Sequence, residues 1–395
     1  MVSPEIPEHM ETSDSETLLA KLISFDTTSR LSNLELIWFV RDYLAKHGID
    51  SQVIDNRSHT KATLFASIGP TDRPGFLLAG HTDVVPVDGQ EWSTYPFQLR
   101  RRDGRLYGRG SADMKGFIAS VLAAVPQFMR LPLETPIHMA FTYDEELGCI
   151  GLRELLDDAG NLPVRSAMGV VGEPTSMRVV SEHKGKIAMR VEVRGQAGHS
   201  SNPAAGVNAV EYASELIAFI RRFNQQKQNA GPFDAQYEVP HTTLHVGSVH
   251  GGTVLNIVPP ECTFEFEIRY LPEDPAPPIL ERIRRFAADE LEPAMKKVNP
   301  SCGIVFHEKF AYPGLSIAPD AEVVTLVKTL LHSQATPGKI AFGTEAGLYQ
   351  QRCGIPMVVC GPGDIANAHQ ADEYVDTRQL AACDLFLTRL AEALS

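Results

Sequence analysis

Five residues whose side chains bind divalent cations stand at similar places along this chain: His81, Asp113, Glu146, Glu173 and His369. His81 closes the apolar run 76–80, Glu146 follows the alternating run 137–143, and Glu173 follows 167–172. His369 lies beyond the Val-rich run 355–360, and Asp113 heads an amphipathic stretch bearing Phe117, Ile118, Val121, Leu122 and Val125. Imidazole nitrogen and carboxylate oxygen together suit zinc, with cobalt or manganese as substitutes. In His81-Thr82-Asp83 the carboxylate can sit on the second ring nitrogen of a ligating histidine and fix its tautomer and basicity. Glu145 and Glu146 are adjacent; carboxylates that share a site separate in pKa, which makes one a ligand and the other a proton carrier. Taken singly, each group has an ordinary role as a strand-end loop residue, a helix N-cap or a solvated acidic turn. Five in the same kind of place make the metal reading the stronger one.

Apolar runs bounded by Gly and Pro read as buried parallel strands. The loops past their carboxyl ends are where an open α/β sheet gathers ligands and catalytic groups. Strands are expected at 63–68, 76–79, 137–143, 167–171 and 355–360. A helical stretch is expected over 15–47, with apolar positions Leu18, Leu19, Leu22, Ile23, Leu34, Ile37, Trp38, Val40 and Leu44, stopped by Gly48. The glycines and Lys115 of 106–116 suggest a phosphate loop, but Lys115 is followed by Gly116 where Ser or Thr is required, so that reading fails.

The middle of the chain has another texture. Residues 186–194 alternate strictly, a Gly-rich loop carries His199, and a helix is expected over 207–223. Strands at 242–249 and 261–270, a helix at 277–291 and a strand at 303–306 complete a ferredoxin-like βαββαβ order. The fold class is therefore α/β: a mostly parallel-sheet domain built from 1–178 and 312–395, interrupted by a ferredoxin-like domain at 179–311. Arg269 ends a strand with alternating Phe264, Phe266 and Ile268. It could clamp a substrate carboxylate with its fork, or be a surface arginine; His199 read alone is a loop residue.

A length of 395 residues exceeds one comfortable core and fits two domains. The 43% hydrophobic and 22% charged content is that of a globular protein. A net charge of −13 argues against nucleic-acid or anionic-membrane partners and is compatible with a cationic substrate. Met1–Glu16 lacks a basic segment followed by an apolar core, and the longest mostly apolar stretch, 117–129, is too short to span a bilayer. Six scattered cysteines without a C-x-x-C read as free thiols. A cytoplasmic protein is expected.

Taken in order, Gly80-His81-Thr82-Asp83-Val84-Val85-Pro86, Gly108-Arg109-Gly110-Ser111-Ala112-Asp113-Met114-Lys115-Gly116, Glu145-Glu146, Gly172-Glu173-Pro174 and Gly198-His199-Ser200-Ser201 form a specific set. The set resembles the zinc aminoacylase and glutamate-carboxypeptidase family, which includes succinyl-diaminopimelate desuccinylase, over nearly the whole chain. Phe342-Gly343-Thr344-Glu345-Ala346-Gly347 and the stretch from Cys360 to Tyr374 are similar to the branch that removes acetate from N2-acetylornithine in arginine synthesis. Ala371 departs from what that branch would carry, with little consequence.

The resemblance implies a metal-dependent amidohydrolase with two zinc ions per subunit. One would take His81 and Glu173, the other Glu146 and His369, with Asp113 and a water bridging both. Asp83 would orient His81, Glu145 would act as general base, and the peptide after Asp113 would be cis. The inserted domain would serve as lid and homodimer contact, its His199 reaching the partner's site to polarise the amide carbonyl. Asn256, Gly343 and Thr344 would line the substrate pocket, Arg269 would hold the substrate carboxylate, and Glu345 would pair with a cationic side-chain amine. The nearest rivals keep the chemistry and change the substrate: desuccinylase, general aminoacylase or dipeptidase. A succinyl pocket needs a further cation, and none is identifiable in the sequence. A non-catalytic metal-binding scaffold is the rival of another class, and the presence of Glu145 argues against it.

Overall fold

Four of the apolar runs pair side by side. In the computed structural model, which describes residues 13–395, strands Ile137–Thr142, Gly75–His81, Ser166–Pro174 and Met357–Gly361 lie in that spatial order and run parallel. All residues of the first, second and fourth are buried, as strands covered on both faces require. The register sets His81 opposite Thr142 and Gly361 opposite Pro174. The segments leaving these strands therefore emerge along one edge. Antiparallel strands Ala62–Ile68 and Ser51–Asp55 extend the sheet on one side, so the parallel part is its centre. Close approach is built in at Gly172, where an added Cβ would lie 2.0 Å from Cγ of the buried Phe117 ring.

The stretch 15–47 is two helices rather than one, Asp14–Ile23 and Leu34–Lys46. Between them the Asp26 carboxylate accepts the Thr28 N–H at 3.0 Å and its hydroxyl at 2.6 Å, a local turn that competes with helix. Asn33 spends its amide on Ala62 and Thr82. Leu36, Ile37, Val40 and Leu44 form the buried face of the second helix, whereas Trp38 is 46% exposed and lies off it. Gly48 ends the helix at φ +74°.

Helix Lys115–Arg130 runs through Pro126. Proline has no N–H, so the Leu122 carbonyl loses its helical partner. The Tyr43 hydroxyl fills the vacancy at 3.0 Å. A small antiparallel sheet of Arg100–Arg102, Arg105–Tyr107 and Tyr374–Asp376 has no counterpart in the sequence reading, its strands being too short to show a period.

The chain divides into two compact units: residues up to Ser181 with Ile317–Gly338 and Thr344–Ser395, and Glu182–Ser316 with Lys339–Gly343. In the second, strands Thr243–Gly251, Glu261–Tyr270, Gly185–Arg194 and Gly303–Tyr312 form an antiparallel sheet in that spatial order. Helices Ala209–Ala230 and Ala276–Phe286 cover it. Met189, Val191, Val193, Leu216, Ile220, Ile279 and Ile283 belong to its core. This is the ferredoxin-like order, with the last strand reaching Tyr312 and the second helix continuing through a π turn into Glu292–Val298. All six cysteines are free, and all but Cys353 are buried. Among the described residues no helix is long and apolar enough to cross a membrane.

The Pro126 arrangement is testable. Tyr43→Phe orphans the Leu122 carbonyl and is expected to lower unfolding free energy by about 1–3 kcal/mol. In a Pro126→Ala background the restored N–H satisfies that carbonyl, so the same substitution should cost much less. Equal costs in the two backgrounds, read from denaturant midpoints as a double-mutant cycle, would exclude the compensation.

Candidate active site

His81, the loop after Thr142, Glu173 and the segment after Gly361 share the carboxyl edge of the parallel strands, and Asp113 joins them from the turn before helix Lys115–Arg130. The Asp113 carboxylate caps no helix. Its two oxygens face different partners. Oδ1 lies 2.9 Å from His81 Nε2, which is itself 3.7 Å from Glu173 Oε1. Oδ2 lies 3.1 Å from His369 Nε2, which is 3.0 Å from Glu146 Oε1. Two imidazole–carboxylate pairs thus share one aspartate, and the Asp113–Met114 peptide is cis.

The charges in this cluster do not balance. Burial raises the pKa of Glu145, Glu146 and Glu173, and neighbouring carboxylates raise each further. Burial works to keep His81 neutral, but Asp113, Asp83 and Glu173 override it and hold its pKa well above the ordinary value. Hydrogen bonds to Asp113 and Glu146 push His369 up to about 11. Burial opposes ionisation of Asp113, yet the two imidazoles hold its carboxyl below the usual carboxylate range. Protons on the imidazoles stand where the donor atoms would accept a cation. His81, Asp113 and Glu146 each offer an atom within 4.8 Å of the others, as do His81, Glu145 and Glu173. Ligand bonds of about 2.0–2.2 Å at tetrahedral angles separate donor atoms by roughly 3.3–3.6 Å, so this N/O set fits divalent metal ions.

Asp83 supports the site in two ways. His81 Nδ1 is nearest the Asp83 backbone carbonyl, at 3.0 Å, with the carboxylate at 3.5 Å. That carboxylate also accepts the N–H groups of Glu145 (3.1 Å) and Glu146 (3.3 Å) and the Ser29 hydroxyl (2.8 Å). It therefore places the loop that carries the candidate base. Lys61 grips the same loop through Asp144, at 2.6 Å, and also holds the Ser29 carbonyl.

Glu345 is 1% exposed, and neither carboxylate oxygen has a well-formed hydrogen bond. Burial raises its pKa to about 7, with the nearby Thr142 hydroxyl easing the charge. It lies behind Glu145, whose pKa its charge helps raise, rather than on an open wall. Thr344 is also fully buried, its hydroxyl accepting the Ala346 N–H at 3.0 Å.

His199, Asn256, Arg269 and Gly343 belong to the second unit. There His199 pairs with Ile257 across a short antiparallel bridge, and the Asn256 carbonyl accepts the Ser200 N–H. The Ser201 N–H donates to His199 Nδ1 at 3.1 Å, so the ring hydrogen sits on Nε2. Arg269 Nε donates to Glu267 at 2.8 Å. Gly343 packs against Tyr312, where a Cβ would lie 1.9 Å from the ring. Arg109, Glu373, Gln90 and Ser29 were not singled out from sequence. Arg109 and Glu373 lie inside quoted motifs, but nothing in one sequence pairs residues so far apart.

An N/O donor cluster at the carboxyl edge of a parallel α/β sheet, buried at His81, Asp113 and Glu173 and open at His369, with a further carboxylate beside it, describes a metal-dependent hydrolase. A family model described as Peptidase family M20/M25/M40 matches residues 77–393, and the chain belongs to that family, hydrolases of amide and peptide bonds. Its fold is similar to that of an M20 family metallo-carboxypeptidase from Sulfolobus solfataricus, at 17% identity and TM-score 0.75, covering 97% of this chain and 99% of that one. A tripeptidase from Staphylococcus aureus subsp. aureus Mu50 is similar at 20% identity and TM-score 0.73, covering 96% and 98%. A dinuclear metal-binding M20 peptidase from Bacillus subtilis is similar at 17% and 0.64, covering 95% and 97%.

Asp83→Asn tests the support of the base. Either orientation of the new amide turns an NH2 toward a backbone N–H, so a buried donor is left unpaired. Metal-free protein is expected to lose about 1–3 kcal/mol of unfolding free energy. An unchanged denaturant midpoint would show that the carboxylate does not hold the 145–146 loop.

Proposed function

We propose that this chain is a two-metal amidohydrolase that releases acetate from N2-acetyl-L-ornithine, yielding ornithine for arginine synthesis. The observation that supports the chemistry best is Asp113, whose oxygens face His81 with Glu173 on one side and His369 with Glu146 on the other. These residues would hold two zinc ions, or cobalt or manganese in their place. Bound there, such ions polarise a carbonyl and lower the pKa of water to about 7. Glu145 is the general base: burial and neighbouring carboxylates raise its proton affinity, which suits it to take a proton from the attacking water and return it to the leaving amine.

His199 is the second donor. With its hydrogen on Nε2, it can donate to the amide oxygen as negative charge develops there. The reading includes a homodimer through the inserted unit, in which each copy supplies His199 to the other. Arg269 would clamp the substrate α-carboxylate, with Glu267 fixing the fork through Nε, and Asn256, Gly343 and Thr344 would line the pocket. Acetylornithine is favoured by the motifs around Glu345 and His369. The unpartnered Glu345 carboxylate is a candidate partner for the side-chain ammonium, though a substrate reaches it only after local opening. A second reading, peptidase action on small peptides, is favoured by the tripeptidase and carboxypeptidase among the similar structures.

Glu145→Ala, with both metals retained, is expected to lower kcat by about 10²–10⁴-fold; turnover equal to wild type would remove the mechanism. In a panel of acetyl- and succinyl-amino acids and dipeptides, N2-acetylornithine should give the highest kcat/KM, and Glu345→Gln should abolish its advantage over acetyl-amino acids with neutral side chains. A dipeptide or tripeptide that outruns it would move the assignment to the peptidase reading.

A further inference from the structure

Behind Asp113 and His369 lies a polar chain, buried at Arg109 and Glu373, that no step of the proposed reaction uses. Glu373 Oε1 accepts the N–H groups of Ala112 at 2.9 Å and Asp113 at 3.1 Å. Its Oε2 accepts Arg109 Nη1 at 2.6 Å, with both side chains 1% exposed. Arg109 Nη2 donates to Gln90 Oε1 at 2.5 Å, and Gln90 Nε2 donates to the His369 carbonyl at 2.9 Å. The chain is thus continuous from the main chain of Asp113 to the main chain of His369.

Two further features show what the chain holds. His369 sits in the left-handed region at φ 62°, a conformation that a non-glycine residue keeps only when its surroundings impose it. The segment carrying Gln90 is tied to the one carrying His369 a second time, through Asp372 Oδ1, which accepts the Ser93 N–H and hydroxyl at 2.9 Å. Trp92 lies 5.0 Å from the Arg109 guanidinium and donates its indole N–H to Gln90, so the Gln90 amide has one orientation. A buried ion pair adds little net stability over apolar packing. The Arg109–Glu373 pair is better explained by the atoms it places.

We propose that Glu373, Arg109 and Gln90 are positioning residues that set the spacing of Asp113 and His369, and so the affinity of the metal position formed by His369 and Glu146. Gln90 binds the His369 main chain directly and reaches Asp113 only through Arg109 and Glu373, whereas Glu373 holds Asp113, which both positions share. The two substitutions therefore have different signatures. The inference rests on the two-metal reading above.

The test is zinc titration of the chelator-stripped full-length protein against a chromophoric chelator, resolving two dissociation constants. Gln90→Leu is expected to weaken, by about 10-fold or more, the same step that His369→Ala weakens, and to leave the other unchanged. Glu373→Gln is expected to weaken both. Gln90→Leu leaves an Arg109 N–H and the Trp92 indole without their acceptor and should lower the melting temperature of metal-free protein modestly. The step-selective change in zinc affinity is read on folded protein, so it decides the matter even if Glu373→Gln does not fold. Unchanged constants in Gln90→Leu, or weakening of the step lost in His81→Ala, would overturn the positioning role while two-zinc binding stands. Fewer than two zinc ions per wild-type chain would overturn the two-metal reading and the inference with it.

Discussion

Like charge held at close range, much of it out of reach of water, is the constraint around which this protein is arranged. Asp113, Glu145, Glu146 and Glu173 crowd the carboxyl edge of the sheet, and burial raises the proton affinity of the three glutamates. An unpaired buried carboxylate is costly, so such a cluster persists only where positive charge answers it. In the protein alone the answer is partial: the surrounding carboxylates raise the proton affinity of both imidazoles. The deficit is a property of the chain, and it makes the site select for divalent cations over neutral ligands.

A second layer of cations supports the framework without entering the cluster. Lys61 binds Asp144, Arg109 binds Glu373, and Lys115 donates to the Phe25 carbonyl at 2.8 Å. Lys115 is fully buried, and burial pulls its pKa down to about 7 against the pull of Asp26, Glu373 and Asp83. Opposite charges about 4 Å apart attract by roughly 4 kcal/mol at an effective dielectric near 20. Each of these cations is held by its own carboxylate or carbonyl. The front of the site stays electron-rich while the loops that present it stay fixed.

What could be read from the sequence follows from range. The parallel strands and the inserted βαββαβ order were legible because hydrophobic period is local, and the five donors were legible because each follows a strand or heads a helix. The break at Ser24–Asn33 was not, since Asp26 and Asn33 look like tolerable helix residues until their partners Thr28, Ala62 and Thr82 are in place. Asp83 was legible as a residue beside His81, but its second task was not: the carboxylate also holds a loop sixty-odd residues away. Glu345 lies in a recognisable motif, yet its burial depends on packing no motif states. Arg109 and Glu373 could be paired only by the fold.

The division into two units has a chemical consequence. All five donors and Glu145 belong to the first unit, whereas His199, Asn256, Arg269 and Gly343 belong to the second. Cation binding is therefore assembled on one rigid sheet edge, where donor positions must hold to fractions of an ångström for ligand geometry to be met. Of the residues assigned to the substrate, His199, Asn256, Arg269 and Gly343 sit on a separate core, built from the apolar faces of a different sheet and its two helices, whereas Thr344 and Glu345 belong to the first unit. Glu345 is where the two tasks meet, because its charge helps raise the pKa of Glu145. The donors and the part of the substrate site proposed for the second unit thus rest on different cores, whereas a change at Glu345 would alter the surroundings of the base as well.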